Sequence, residues 1–268
     1  MDREFGLKLR FKGRQSDVER LDLYDGSDSF HGFARALALV VHAYLNDDVT
    51  GRATALKGAS LCFGAPRRGS VLFDLMARFT RSPKTAPVNA DTFYDFTRVA
   101  LARATGDLDA SAQSSYVQRK LLADEPFFDE LAEALEGSLQ HAHRSIDNED
   151  VIVCLERPRS QLILFDKSTS AWVNTRDVNP TIQEFRGNMT RFNTQTGNGR
   201  AFIQSIKRIV PVRKSDSFID GSKGWLTWSL HGSNVLGDKE LVFSGRKIVS
   251  ATGETKRIIL DNCWKAQS

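Results

Sequence analysis

The chain has 268 residues, of which 41% are hydrophobic and 26% charged, the composition of an ordinary soluble globular protein of one large or two medium domains. It contains no apolar run of 18 residues and no signal-like N-terminal stretch, which argues against a membrane partner and for a cytoplasmic protein; Cys62, Cys154 and Cys263 are too scattered for a disulfide framework or a zinc site, and read as buried small side chains. The net charge of +4 is unevenly placed: residues 181–268 carry 14 Lys and Arg against 7 Asp and Glu, and residues 1–180 carry 23 against 26. A basic C-terminal third favours an anionic partner, with nucleic acid the commonest.

In chain order, Phe5, Leu7, Leu9 and Phe11 alternate with mostly charged neighbours, the period of a half-buried strand. A short apolar piece, 21–24, precedes a helix expected over about Ser27–Leu45. Phe30, Phe33, Leu37, Val40, Val41 and Tyr44 form its apolar stripe, and Asp25, Ser27 or Asp28 caps its first turn. Strands follow at 60–63 and 70–79, joined by a hairpin whose tip holds Arg67 and Arg68, weak candidates for gripping a phosphate. Helices are expected from Asn89 or Asp91 to Ala104, over 115–123, and from Asp124 onward with Pro126 in the first turn. Strands at 151–155 and 161–165 then join the first sheet.

Periodicity is lost over 171–183, which places a domain boundary near residue 180. The expected organisation is an α+β domain at 1–180, a mixed sheet with packed helices, and a small barrel at 181–268. The barrel's strands lie at 188–192, 200–204, 208–212, 240–249 and 256–261, with a helix at 222–231 between the third and fourth. That order suits a five-stranded OB-type barrel, with an SH3-like barrel as the alternative. Trp225, Leu226, Trp228 and Leu230 are expected to plug the barrel end.

On the OB reading, the loops 193–199 and 250–255 flank the ligand-binding face. Arg191, Asn193, Arg200, Lys207, Arg208, Lys256 and Arg257 lie on or beside them and on the second hairpin, as candidates for phosphate and base contacts, and Phe202 is a candidate for base stacking. The sequence contains no phosphate loop, nucleophile elbow or zinc-protease helix, so no catalytic residue, metal or cofactor is assigned. His141 and His143 are two apart, a spacing that points them away from each other on a helix. Glu254, Thr255 and Lys256 with Asp238 upstream have the outline of a metal-dependent nuclease centre, a short pattern that chance often produces.

The segments Leu23-Tyr24-Asp25, Pro66-Arg67-Arg68-Gly69-Ser70, Arg191-Phe192-Asn193, Gly197-Asn198-Gly199-Arg200, Leu226-Thr227-Trp228-Ser229-Leu230-His231 and Lys256-Arg257-Ile258 resemble an uncharacterised bacterial two-domain family of mobile-element and anti-phage gene neighbourhoods. The resemblance implies a defence role and no catalytic residue. The expected function is therefore non-enzymatic binding of DNA or RNA through the barrel. Alternatives are an oligomeric assembly or sensor component acting through protein contacts of the N-terminal domain, as a homo-oligomer or with another protein, and a metal-dependent nuclease.

Overall fold

The computed structural model describes residues 3–13, 20–52, 56–64, 71–174, 181–233 and 239–266. They fall into two compact units, Met1–Ala123 with Phe128–Asn174, and Asp124–Phe127 with Thr175–Ser268. The fold is α+β, an N-terminal sheet with helices and a small C-terminal barrel.

The first unit runs β1 (Arg3–Lys12), α1 (Leu23–Asn46), β2 (Ala59–Phe63), β3 (Val71–Phe79), α2 (Ala90–Ala104), α3 (Ser115–Ala142, of which Asp124–Phe127 groups with the second unit), α4 (Arg144–Glu149), β4 (Ile152–Arg157), β5 (Ser160–Phe165) and α5 (Lys167–Val173). Its sheet has the order β2-β3-β1-β4-β5. Every neighbouring pair is antiparallel. The expectation of a mixed sheet is corrected in this respect: strands of like direction, such as β1 and β2, are present but separated by an antiparallel strand. The β1 alternation is realised, with Phe5, Leu7, Leu9 and Phe11 buried on one face.

Helix α1 starts earlier than its apolar stripe suggests. Asp22, outside the expected caps, accepts hydrogen bonds from the Tyr24 and Asp25 amides at 2.8 and 2.9 Å, so the piece at 21–24 becomes the entry into the helix. Phe33, Leu37, Val40, Val41 and Tyr44 are all buried, and Tyr44 sits with Phe93 and Phe96 at ring-centroid distances of 5.4 Å. The two helices expected around residue 124 form the single element α3, broken by non-helical backbone at Asp124 (φ −145°, ψ 62°). Helices α4 and α5 add to the expected elements. Each is short, and α5 is set by Asp166, whose carboxylate caps the Ser168 and Thr169 amides.

Backbone packs on backbone where α1 passes α3. A Cβ placed on Gly32 would stand 2.3 Å from the Ala142 nitrogen and 2.7 Å from the Ser138 carbonyl oxygen. Close by, the Ser145 amide donates to Ser29 Oγ at 2.8 Å in a buried contact. Gly32→Ala should therefore push α1 off α3 and destabilise this unit by about 1–3 kcal/mol, seen as a lower urea midpoint; an unchanged midpoint would refute the close approach.

At the end of α3, His143 is buried, with Nδ1–H donating to the Leu139 carbonyl at 2.7 Å and Nε2 2.9 Å from Thr169 Oγ1. Burial lowers its pKa below the ordinary 6.5, outweighing the opposing hydrogen bond. The unfolded chain thus takes up a proton at a pH where the folded one does not. Stability is full above pH 6.5 and declines as the pH falls from there toward the lowered folded-state value. Thermal melts between about pH 8 and about pH 5 should show this acid loss in the native chain and a flatter profile in His143→Gln.

The second unit runs β6 (Gln183–Phe192), β7 (Asn198–Ile203), β8 (Arg208–Lys214), a 3-10 turn (Asp220–Ser222), α6 (Lys223–Ser233), β9 (Leu241–Val249) and β10 (Thr255–Lys265). The strands close in the order β10-β8-β7-β6-β9, with β9 paired to β10. The β8–β10 pair is parallel and the other four are antiparallel. With the helix between the third and fourth strands, this is the OB arrangement. Phe185, Met189, Ala201, Val210, Phe243, Ile258 and Leu226 fill the core, with Trp228 and Leu230 packed against it. Trp225 departs from the expected plug: it is exposed and meets Trp228 edge to face at 5.9 Å. Gly187 allows the barrel to curl, since a Cβ there would stand 1.9 Å from the Phe202 carbonyl oxygen.

Candidate nucleic-acid interface

The outward face of β6, β7 and β8 follows from what points inward. Met189, Ala201, Ile203, Val210 and Val212 belong to the core. Strand alternation therefore turns Asn188, Arg200, Phe202, Ile209 and Pro211 outward. Registry aligns them in rows: Asn188 faces Phe202, Phe202 faces Ile209, and Arg200 faces Pro211. The first row is open, with Phe202 38% and Ile209 42% exposed. Asn188 Nδ2, in the same row, is buried without a hydrogen-bond partner among the described residues.

The row of Arg200 is covered. Arg200 is 3% exposed although it points away from the core. Its guanidinium Nη1 donates to Glu125 Oε1, and Arg191 Nε lies 3.1 Å from Glu125 Oε2. Glu125 belongs to the segment Asp124–Phe127 that groups with the barrel's own unit. The loop between β6 and β7 is exposed at Thr194, Gln195 and Thr196, yet the basic residue that closes it is not.

The other sequence candidates are scattered among environments. Asn193 spends its carbonyl oxygen on the loop, accepting from the Gln195 and Thr196 amides at 3.0 and 3.2 Å. Lys207 is exposed at the β7–β8 turn with φ 56°. Arg208 is half-buried and donates to the Thr255 carbonyl. Lys256 and Arg257 are 4% and 8% exposed, at an irregularity in the β9–β10 ladder, and do not reach the surface. The barrel thus brings Arg191 and Arg200 together and holds Phe202 on the same face. Arg67 and Arg68 lie outside the described residues.

Sequence reasoning missed three contributors. Asn188 and Ile209 needed the strand registry, and Glu125 needed a contact across 75 residues. The nuclease outline gains no geometry: Glu254 is exposed, Lys256 is buried, and Asp238 lies outside the described residues. Among the described residues no group of three or more His, Cys, Asp or Glu side chains is placed to hold a metal ion. Cys263 is buried, its thiol donates to the Ser222 carbonyl at 3.3 Å, and burial pushes its pKa up to about 12. No helix among the described residues is long and apolar enough to cross a membrane.

The fold and this face define a two-unit protein in which an α+β sheet domain accompanies an OB-type barrel with a partly open, partly covered strand face. The chain belongs to the family of domains of unknown function DUF7946, whose model matches residues 7–174. No curated protein and no solved structure matches the chain. The matched region ends at the last residue of the first unit, so the barrel stands outside it.

The pairing of Arg200 makes it a poor site for charge reversal. Arg200→Glu would set two carboxylates against each other at a position 3% exposed and should destabilise the barrel unit by about 3 kcal/mol or more, read as a lower urea midpoint. A normal midpoint would show that the Glu125 contact is not held in solution.

Proposed function

We propose that the protein is a non-enzymatic nucleic-acid-binding protein whose barrel takes single-stranded DNA or RNA. The observation that carries this reading is the exposed row of Phe202 and Ile209, beside Asn188 and the exposed Lys207, on the strand face that OB barrels use for oligonucleotides. Phe202 would stack a base, and the unpartnered Asn188 amide is a donor that a base edge or sugar would satisfy. Lys207 would meet the backbone as a point charge. A setting in anti-phage defence is part of the proposal and rests on the resemblance alone.

A second reading, self-association through the N-terminal unit, is favoured by one feature there. Strand β2, Ala-Ser-Leu-Cys-Phe, is an uncharged edge strand of the sheet. Beside it is an apolar cavity of about 220 Å³ lined by Leu9, Phe30, Phe33, Leu37, Leu61 and Phe63, with Phe63 64% exposed. Such a contact would be far less salt-sensitive than phosphate binding.

Binding of labelled single- and double-stranded DNA and RNA across a salt series tests both readings. The native protein should prefer single strands, with affinity falling steeply as salt rises. Phe202→Ala should weaken binding by about 1–3 kcal/mol, or roughly 5- to 150-fold, with the fold intact. Absence of binding at low salt would overturn the first reading, and a salt-independent dimer in light scattering would favour the second.

A further inference from the structure

We infer that Arg191 and Arg200 form an anion site on the barrel, with Glu125 as its resident occupant and a phosphodiester of the bound strand as its exchanging ligand. The inference rests on the nucleic-acid reading and gives it a regulation. Each carboxylate oxygen of Glu125 is taken by a different guanidinium, Oε1 by Arg200 and Oε2 by Arg191 at 3.1 Å. Carboxylate and phosphate are the two oxyanions whose geometry guanidinium groups match, so a site built for one accepts the other.

Position supports the exchange. Arg200 and Phe202 are two residues apart on one strand and point to the same side, which sets them roughly 7 Å apart along β7. A phosphate at Arg200 and its base on Phe202 would then belong to one nucleotide. Glu125 itself comes from a break in regular structure, between the non-helical Asp124 and Pro126. The ion pairs with Arg191 and Arg200 thus fall at a kink of α3.

The energetics set the direction of control. Arg200 is 3% exposed, and a guanidinium so far from water needs an anion. With Glu125 in place an incoming strand must displace it, which scales the apparent affinity down to the fraction of molecules in which the site is open. Removing the charge of Glu125 takes away the carboxylate with which the phosphate competes.

The test is fluorescence anisotropy with a labelled single strand of roughly 16 nucleotides, the upper site size of one OB fold. It compares native protein, Glu125→Gln, Glu125→Asp and the double variant Glu125→Gln/Arg200→Gln, each checked by circular dichroism. Glu125→Gln should bind about tenfold more tightly. Its plot of log affinity against log salt should be steeper by about 0.7 for each additional phosphate neutralised. Glu125→Asp, with its carboxylate drawn back by one methylene, should show a smaller increase in affinity, and the double variant should show none. If Glu125→Gln does not fold, Glu125→Asp carries the test. Unchanged affinity and slope in the folded Glu125 variants, with native binding that still depends on Phe202, would overturn this inference and leave the nucleic-acid reading standing. No binding by any variant at low salt would overturn both.

Discussion

The barrel depends on one short parallel contact. Ile258, Ile259 and Leu260 of β10 pair with Val212, Arg213 and Lys214 of β8, and that ladder turns five strands into a closed ring. Closure removes the open edges that would otherwise seek another chain, so the barrel's outer surface becomes a set of side-chain rows and not a set of unpaired backbone groups. It also fixes which residues face out on β6, β7 and β8. One row of that surface is exposed at Phe202 and Ile209, and the next holds Arg200 away from water against Glu125. Recognition chemistry and a charge-matched contact thus share one strand face.

The N-terminal unit solves the same problem differently. Its sheet stays open, with β1 in the middle and β2 and β5 at the two ends. Stability comes from helices laid against it, and the tightest point is the passage of α1 over α3 at Gly32, where no side chain fits. A buried, hydrogen-bonded His143 and the buried Arg103–Asp129 ion pair, 3.2 Å apart, lie among the helices of this unit. Both ring nitrogens of His143 and the Arg103–Asp129 charges meet partners, as burial favours, while Ser145 Oγ is buried without a hydrogen-bond partner among the described residues. The family match covers this unit.

Much of this architecture is legible along the chain because it rests on local repetition. The alternation of Phe5, Leu7, Leu9 and Phe11 predicts β1, and the three- and four-residue steps from Phe33 to Tyr44 predict α1. The five barrel strands and the helix between the third and fourth also appear in order, since turn residues punctuate each hairpin. Less legible are the short helices α4 and α5, which span too few residues to show a helical period, and the start of α1, where the capping Asp22 precedes the apolar stripe.

By itself the sequence determined the α+β class, the element order of the barrel and the concentration of positive charge in the C-terminal third, because these are properties of neighbours and of counts. Only the tertiary structure decided what that charge is available for. Lys207 and Arg200 look alike as basic residues beside hairpins, yet Lys207 is exposed and Arg200 is buried. The difference lies in the place of Lys207 on the β7–β8 turn and in the carboxylate, 75 residues away in sequence, that Arg200 meets. Lys256 and Arg257 differ from a surface pair for the same reason, since their exposure depends on what the folded ladder sets beside them. Periodicity specifies a face, and packing specifies whether water or a ligand can reach it.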